Sequence, residues 1–178
     1  KIGALSNWLF VFGKNQKIEF RNLYNHQGYT QVIDRSGRDN YGGLTIRSEE
    51  LSFSSRNTYS GQLAGDHSFR NNLAHFDWTL GYSYADKYQP DLKRLSSSLA
   101  EDPDNQYYGQ YGVNFSFSAS PELSGRVYQD LREHIYTGNF NFSNIFKFGN
   151  FKPQLKAGMY IENKNRDFSA RLIGYAIS

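Results

Sequence analysis

Cysteine does not occur in the sequence, which removes disulfides, cysteine-ligated zinc and thiol catalysis together. No stretch approaches the roughly eighteen consecutive apolar residues of a membrane-crossing helix, so a helical transmembrane protein is excluded. A basic block is missing as well. The net charge is +3 with a pI near 9.0, yet 20 basic and 17 acidic residues are interspersed, which describes a solvated surface of mixed sign rather than a phosphate-binding patch. No signal-peptide pattern opens the chain, and Lys1 in place of Met leads us to expect a processed chain or an excised piece. His26, His67, His75 and His134 lack ligand spacing, and the acidic loop Glu101-Asp102-Pro103-Asp104-Asn105 lacks the glycine and distal glutamate of an EF-hand, so no metal site is expected.

Catalytic signatures fare no better. Gly81, Ser83 and Ala85 nearly spell the G-x-S-x-G nucleophile elbow, but the last glycine is absent and Tyr84 to Pro90 offers no helix to follow the serine. From Ala74 to Tyr84 the chain alternates instead: Ala74, Phe76, Trp78, Leu80, Tyr82 and Tyr84 point one way, His75, Asp77, Thr79, Gly81 and Ser83 the other. We therefore expect no enzyme, no catalytic or cofactor-binding residue and no cofactor.

What the sequence does hold is aromatic alternation. Aromatics are 17% of residues although mean hydropathy is -0.70, so apolar character is concentrated in rings that alternate with polar groups. Three hairpins are legible, over about residues 2–24, 44–84 and 126–176, turning near Gly13-Lys14-Asn15-Gln16, Asn71-Asn72 and Gly149-Asn150. Pairing Phe69 with Ala74 sets Gly65 opposite Trp78 and Gly61 opposite Tyr82, and it brings Asp66 opposite Asp77, a repulsion that a cation or a neighbouring Arg or His would relieve. Pro153 predicts a break beside the third turn. Leu44 to Phe69 reads as one strand whose charged first half stands clear of hydrocarbon.

Residues 25–43, the polar connection Asn25 to Tyr41 within them, and residues 85–125 read as long loops, with Leu92, Leu95 and Leu99 spaced for one short helix. Tyr107 to Ser118 with Arg126 to Glu133 is either a crossing hairpin or a ribbon above the bilayer; alternation of turn lengths favours the ribbon. Short turns against long loops, with rings on the apolar face where a soluble sandwich favours Val, Ile and Leu, is the pattern of an outer-membrane β-barrel. The fold class expected is all-β, an antiparallel meander of long strands forming part of such a barrel.

Arg56-Asn57-Thr58-Tyr59-Ser60-Gly61-Gln62-Leu63, Phe76-Asp77-Trp78-Thr79-Leu80-Gly81-Tyr82-Ser83-Tyr84, Tyr136-Thr137-Gly138, Lys152 to Gly158 and Arg166 to Arg171 resemble the barrel of TonB-dependent outer-membrane receptors of the Bacteroidota type. Those receptors are plugged barrels of about 22 strands. The resemblance implies the bacterial outer membrane, import of a bulky nutrient (iron chelate, vitamin, glycan or peptide), and as partners the membrane lipid, the receptor's remaining strands and plug, the TonB energising complex and in some cases a surface lipoprotein, with no nucleic acid. From Lys1 and from Ile177-Ser178 we expect a central fragment without plug or closing strand. The other readings are a small closed barrel or adhesin without transport, and a soluble sheet that stacks sugars or single-stranded nucleic acid on its tyrosines. The lumen-facing candidates are Lys17, Glu19, Arg21, Gln62, Asp66, Asp77, Asn139, Asn141, Lys152 and Lys156. The lipid-facing aromatics are Trp8, Phe10, Phe12, Phe76, Trp78, Tyr82, Phe140 and Phe142.

Overall fold

A computed structural model describes residues 1–40, 43–69, 71–118 and 120–176, and these are predominantly strand. The strands are β1 (Ile2–Phe12), β2 (Gln16–Asp39), β3 (Leu44–Phe69), β4 (Ala74–Leu99), β5 (Tyr111–Val113), β6 (Gly125–Ile145) and β7 (Gln154–Gly174). They form one antiparallel sheet in the order β1-β2-β3-β4-β6-β7, with β5 paired to the end of β4. No helix occurs among the described residues. The sheet is open: β1 and β7 are its edges, and they differ in length by about a factor of two.

The sequence shows why the hairpins turn where they do. β1 and β2 pair in a register that sets Phe12 against Gln16, Phe10 against Ile18 and Trp8 against Phe20, so the apolar rows coincide across the turn. Between β3 and β4, Asn71 (φ 54°) and Asn72 (φ 68°) both occupy the left-handed region, which Asn tolerates because its short side chain bonds locally. Replacing Asn72 by Val is expected to cost about 1–2 kcal/mol, since a branched side chain clashes there, whereas Asn72→Gly should be neutral or slightly stabilising. Urea midpoints of the refolded chain check both; an unaffected Val variant would contradict the turn. Near the third turn β6 stops at Ile145 and β7 starts only after Pro153, with an isolated bridge between Phe148 and Phe151 closing the tip.

Three expectations are corrected. Residues 25–43 are mainly strand, because β2 continues to Asp39, and residues 85–99 continue β4, so the second loop begins only at Ala100. Tyr41, at the end of the expected connection, lies outside the described residues, as do Ile177 and Ser178. The leucines at 92, 95 and 99 lie in β4, not in a helix. Backbone ladders with neighbouring strands override the local punctuation, and cross-strand ion pairs hold the charged residues in extended chain.

Pro90, within the stretch expected as loop, lies inside β4. Side chains that meet across β3 and β4 are of opposite parity at Ser68 with His75 and at Asn57 with Asp86, but of equal parity at Glu50 with Arg94. Against β6, parity is equal at Tyr82 with His134 and opposite at Asp91 with Arg126. Both neighbours thus see β4 slip by one residue between Asp86 and Asp91. A bulge accounts for it, and a bulge is where a sheet accepts proline.

The chain divides into two compact units. Unit 1 holds residues 1–27, 56–86 and 132–167, and unit 2 holds residues 28–55, 87–131 and 168–178. The tightest packing of unit 2 is at Ser124, 1% exposed, whose hydroxyl donates to the Asn114 carbonyl at 2.8 Å. Beside it Gly125 has no room for a side chain, because a Cβ would sit 2.5 Å from the Ile173 carbonyl oxygen and 2.6 Å from Pro121 Cα. β5, three residues long, is too short to be a crossing strand, so the described residues between β4 and β6 contain no crossing hairpin.

Candidate functional site

Unit 1 has one polar and one aromatic face, as period-two alternation demands. On the polar face, Asp66 of β3 and Asp77 of β4 are drawn to one histidine: His75 Nε2 lies 3.8 Å from Asp66 and 3.6 Å from Asp77. His75 is thus the neighbour that relieves the expected carboxylate repulsion when it is protonated. Asn141 of β6 donates to Asp77 at 2.7 Å, and its Oδ1 fills the place a side chain at Gly158 of β7 would take. His75, Asp77, Asn141, Ser143 and Lys156 line a cavity of about 480 Å³.

The structure therefore brings together four of the ten lumen candidates: Asp66, Asp77, Asn141 and Lys156. Glu19 and Arg21 form their own bidentate pair at 2.6 and 2.7 Å, with Lys17 on the same face of β2. Gln62 packs by Gly81, whose missing side chain leaves room for the Thr137 hydroxyl. Asn139 lies on β6, and Lys152 lies between the third turn and β7. His75 was absent from the candidate set although the signal was present, since it shares a face with Asp77 two residues on. The polar face is less uniform than expected at its edge, where Leu9 and Val11 pair with Glu19 and Lys17.

On the other face, Trp78 lies over Gly65 as the register requires, so that a Cβ there would collide with the indole. The atoms nearest the place of a Cβ at Gly61 belong to the ring of Tyr59 from its own strand, which in turn packs on Tyr82. Tyr82 packs against Tyr59 and Tyr136 with centroids 6.0 and 5.1 Å away. His67 sits among Phe69, Phe76 and Trp78. The Trp78 indole N–H donates to His67 Nε2 at 3.0 Å, and His67 Nδ1 meets Gln16 Oε1.

Trp8, Phe10 and Phe12 of the edge strand are 57, 49 and 57% exposed, and Phe142 is 46%, while Phe140 is half-buried. Toward the end of unit 1 away from the short turns, ring hydroxyls find polar partners: Tyr59 donates to Asn22 at 2.8 Å and Tyr24 to Asn57 at 3.2 Å. Asn57 also meets His26 at 2.6 Å and donates to Asp86 at 2.9 Å. The aromatic surface is thus bounded by a row of hydrogen-bonded tyrosines.

Unit 2 is organised by charge. Arg47 bridges Asp34 at 3.1 Å and Glu49 at 2.8 Å, Arg94 binds Glu50 at 2.7 Å, and Arg126 binds Asp91 at 2.9 Å with Lys93 at 3.6 Å. Hydrogen bonding to Asp34 raises the Arg47 pKa above its ordinary value, so this guanidinium stays charged. No group of three or more potential metal ligands occurs among the described residues. No family model and no curated protein sequence matches the chain.

Proposed function

We propose that the chain is part of a β-barrel of the bacterial outer membrane, and that the barrel is a TonB-dependent receptor importing a bulky nutrient. The observation that carries the membrane reading is the want of a core. Among the described residues Ala74 is the one buried hydrophobic side chain, while Trp8, Phe10 and Phe12 of β1, Phe142 of β6 and Met159 and Ile161 of β7 lie open on one face of the sheet. A water-soluble domain buries such a face against a second layer. A bilayer covers it directly.

The dimensions agree. Within unit 1 the runs Gln16–Gln27, Arg56–Phe69, Ala74–Asp86, Arg132–Ile145 and Gln154–Asp167 are each about a dozen residues, and a tilted strand needs about 9–11 to cross the hydrocarbon. The tyrosine row then serves as an interfacial girdle, the polar face with Asp66, His75 and Asp77 as a wet lumen wall, and Trp8, Phe76, Trp78 and Phe140 as lipid contacts. Unit 2, with its paired charges, belongs in water. The receptor assignment itself rests on the resemblance of the strand motifs.

Topology offers the test. In intact cells, a membrane-impermeant thiol reagent should label Asp104→Cys but neither Asn72→Cys nor Asn150→Cys, since the short turns face the periplasm. Labelling of all three alike would overturn the orientation, and a detergent-free, monodisperse monomer would favour the soluble sheet. Loss of nutrient-dependent growth on deleting the energising complex would separate receptor from adhesin.

A further inference from the structure

Unit 2 contains a concavity of about 640 Å³ for which the paired strands supply both floor and walls. Its floor is apolar: Val32 of β2, Leu51 of β3, Leu95 of β4 and Tyr175, which returns past β7 and is anchored by its backbone to the Ser124 carbonyl. These four are 44 to 72% exposed, too open for a packed core. Charge around the rim is segregated along the sheet. Asp34 and Glu49, on β2 and β3, share the single cation Arg47, so that end carries one surplus negative charge. Lys93 and Arg126, on β4 and β6, share the single anion Asp91, so the other end carries one surplus positive charge.

We infer that this concavity binds a short, zwitterionic peptide, its ammonium group toward Asp34 and Glu49, its carboxylate toward Lys93 and Arg126, and an apolar side chain on the floor between them. Strands lie about 4.8 Å apart, so the two charged ends, two strand spacings apart, are separated by about 10 Å. An extended chain covers about 3.4 Å per residue, which makes the fitting ligand about three residues long. The volume is in the range of small-ligand sites, and the mix of apolar floor and few polar groups is the usual one. An anionic ligand would meet Asp34 and Glu49 unfavourably, and a neutral sugar would make no use of separated charges. The inference stands on the geometry of unit 2 by itself and does not depend on the importer reading.

The probe is the tripeptide Ala-Leu-Ala titrated calorimetrically into the full chain refolded in detergent micelles. Saturable one-to-one binding is expected, weakened about fivefold by acetylating the N-terminus and about fivefold by amidating the C-terminus. Glu49→Gln should copy the first effect and Lys93→Gln the second; both side chains are half-exposed, so the fold should tolerate either change. The pairing of cause is checked by combination: Lys93→Gln should add nothing to the loss from amidation, and Glu49→Gln nothing to the loss from acetylation. Equal binding of free and doubly capped peptide, or no saturable binding by a chain that keeps its β circular dichroism, overturns the site. Failure of the cysteine-labelling experiment would overturn the membrane reading instead, and leaves the peptide result to be judged by itself.

Discussion

Trp78→Arg should destabilise the membrane-inserted chain by about 2–4 kcal/mol, the cost of a cation on the lipid face near the bilayer midplane. Two local losses add to it. The indole covers Gly65, and its N–H satisfies His67 Nε2, so the substitution bares backbone and leaves an imidazole nitrogen without its donor. Trp78→Phe separates the cation from the local losses, because it keeps an aromatic ring in lipid while removing the hydrogen bond, worth about 1 kcal/mol, and the indole edge that covers Gly65. Urea midpoints in lipid vesicles measure both. The chain has 2 tryptophans, so Trp8→Phe leaves Trp78 as the only indole fluorophore. Strong quenching by brominated lipid is expected; quenching by aqueous iodide alone would invert the two faces and sink the lumen assignments with them.

Gly125→Val is the second large effect expected, at about 3 kcal/mol, and it tests unit 2 without reference to lipid. The atoms that a side chain would strike, the Ile173 carbonyl oxygen and Pro121 Cα, belong to backbone that cannot rotate away. Relief would have to come from moving Ser124, which donates to Asn114, accepts from the Ser96 amide and holds Tyr175. Gly37→Val is the control, since nothing lies within 4 Å of its added Cβ, and a change within about 0.5 kcal/mol is expected there. Equal unfolding midpoints for the two variants would show that the close approach at Gly125 does not exist.

Much of unit 1 was legible because its information is local. Alternation names the faces, Asn-Asn names the turn, and a turn of known length fixes which residues oppose: Trp78 over Gly65 and His75 beside Asp66 and Asp77 follow from counting. Unit 2 resisted the same treatment. Gly28, Gly37, Pro90 and the charges around them are locally indistinguishable from loop chemistry, and what makes them strand is a partner: Arg47 for Asp34, Arg94 for Glu50, a bulge for Pro90. The leucines at 92, 95 and 99 fit a helical spacing over too short a window to exclude a strand. The concavity was unreadable for a related reason. It exists only because Tyr175 is brought beside residues of β2 and β3 more than a hundred positions earlier, and no short-range pattern encodes that return.

The order β1-β2-β3-β4-β6-β7 has a kinetic consequence. Every long strand pairs with its neighbour in the chain, so the sheet can grow by zipping outward from its turns, and relative contact order is low for an all-β protein. One step is different in kind, because closing β4 onto β6 spans the connection from Ala100 to Ser124 where the other closures span a few residues. Loop entropy rises only logarithmically, so the added cost is about 2 kcal/mol, enough to make that ladder the last to form and the first to open.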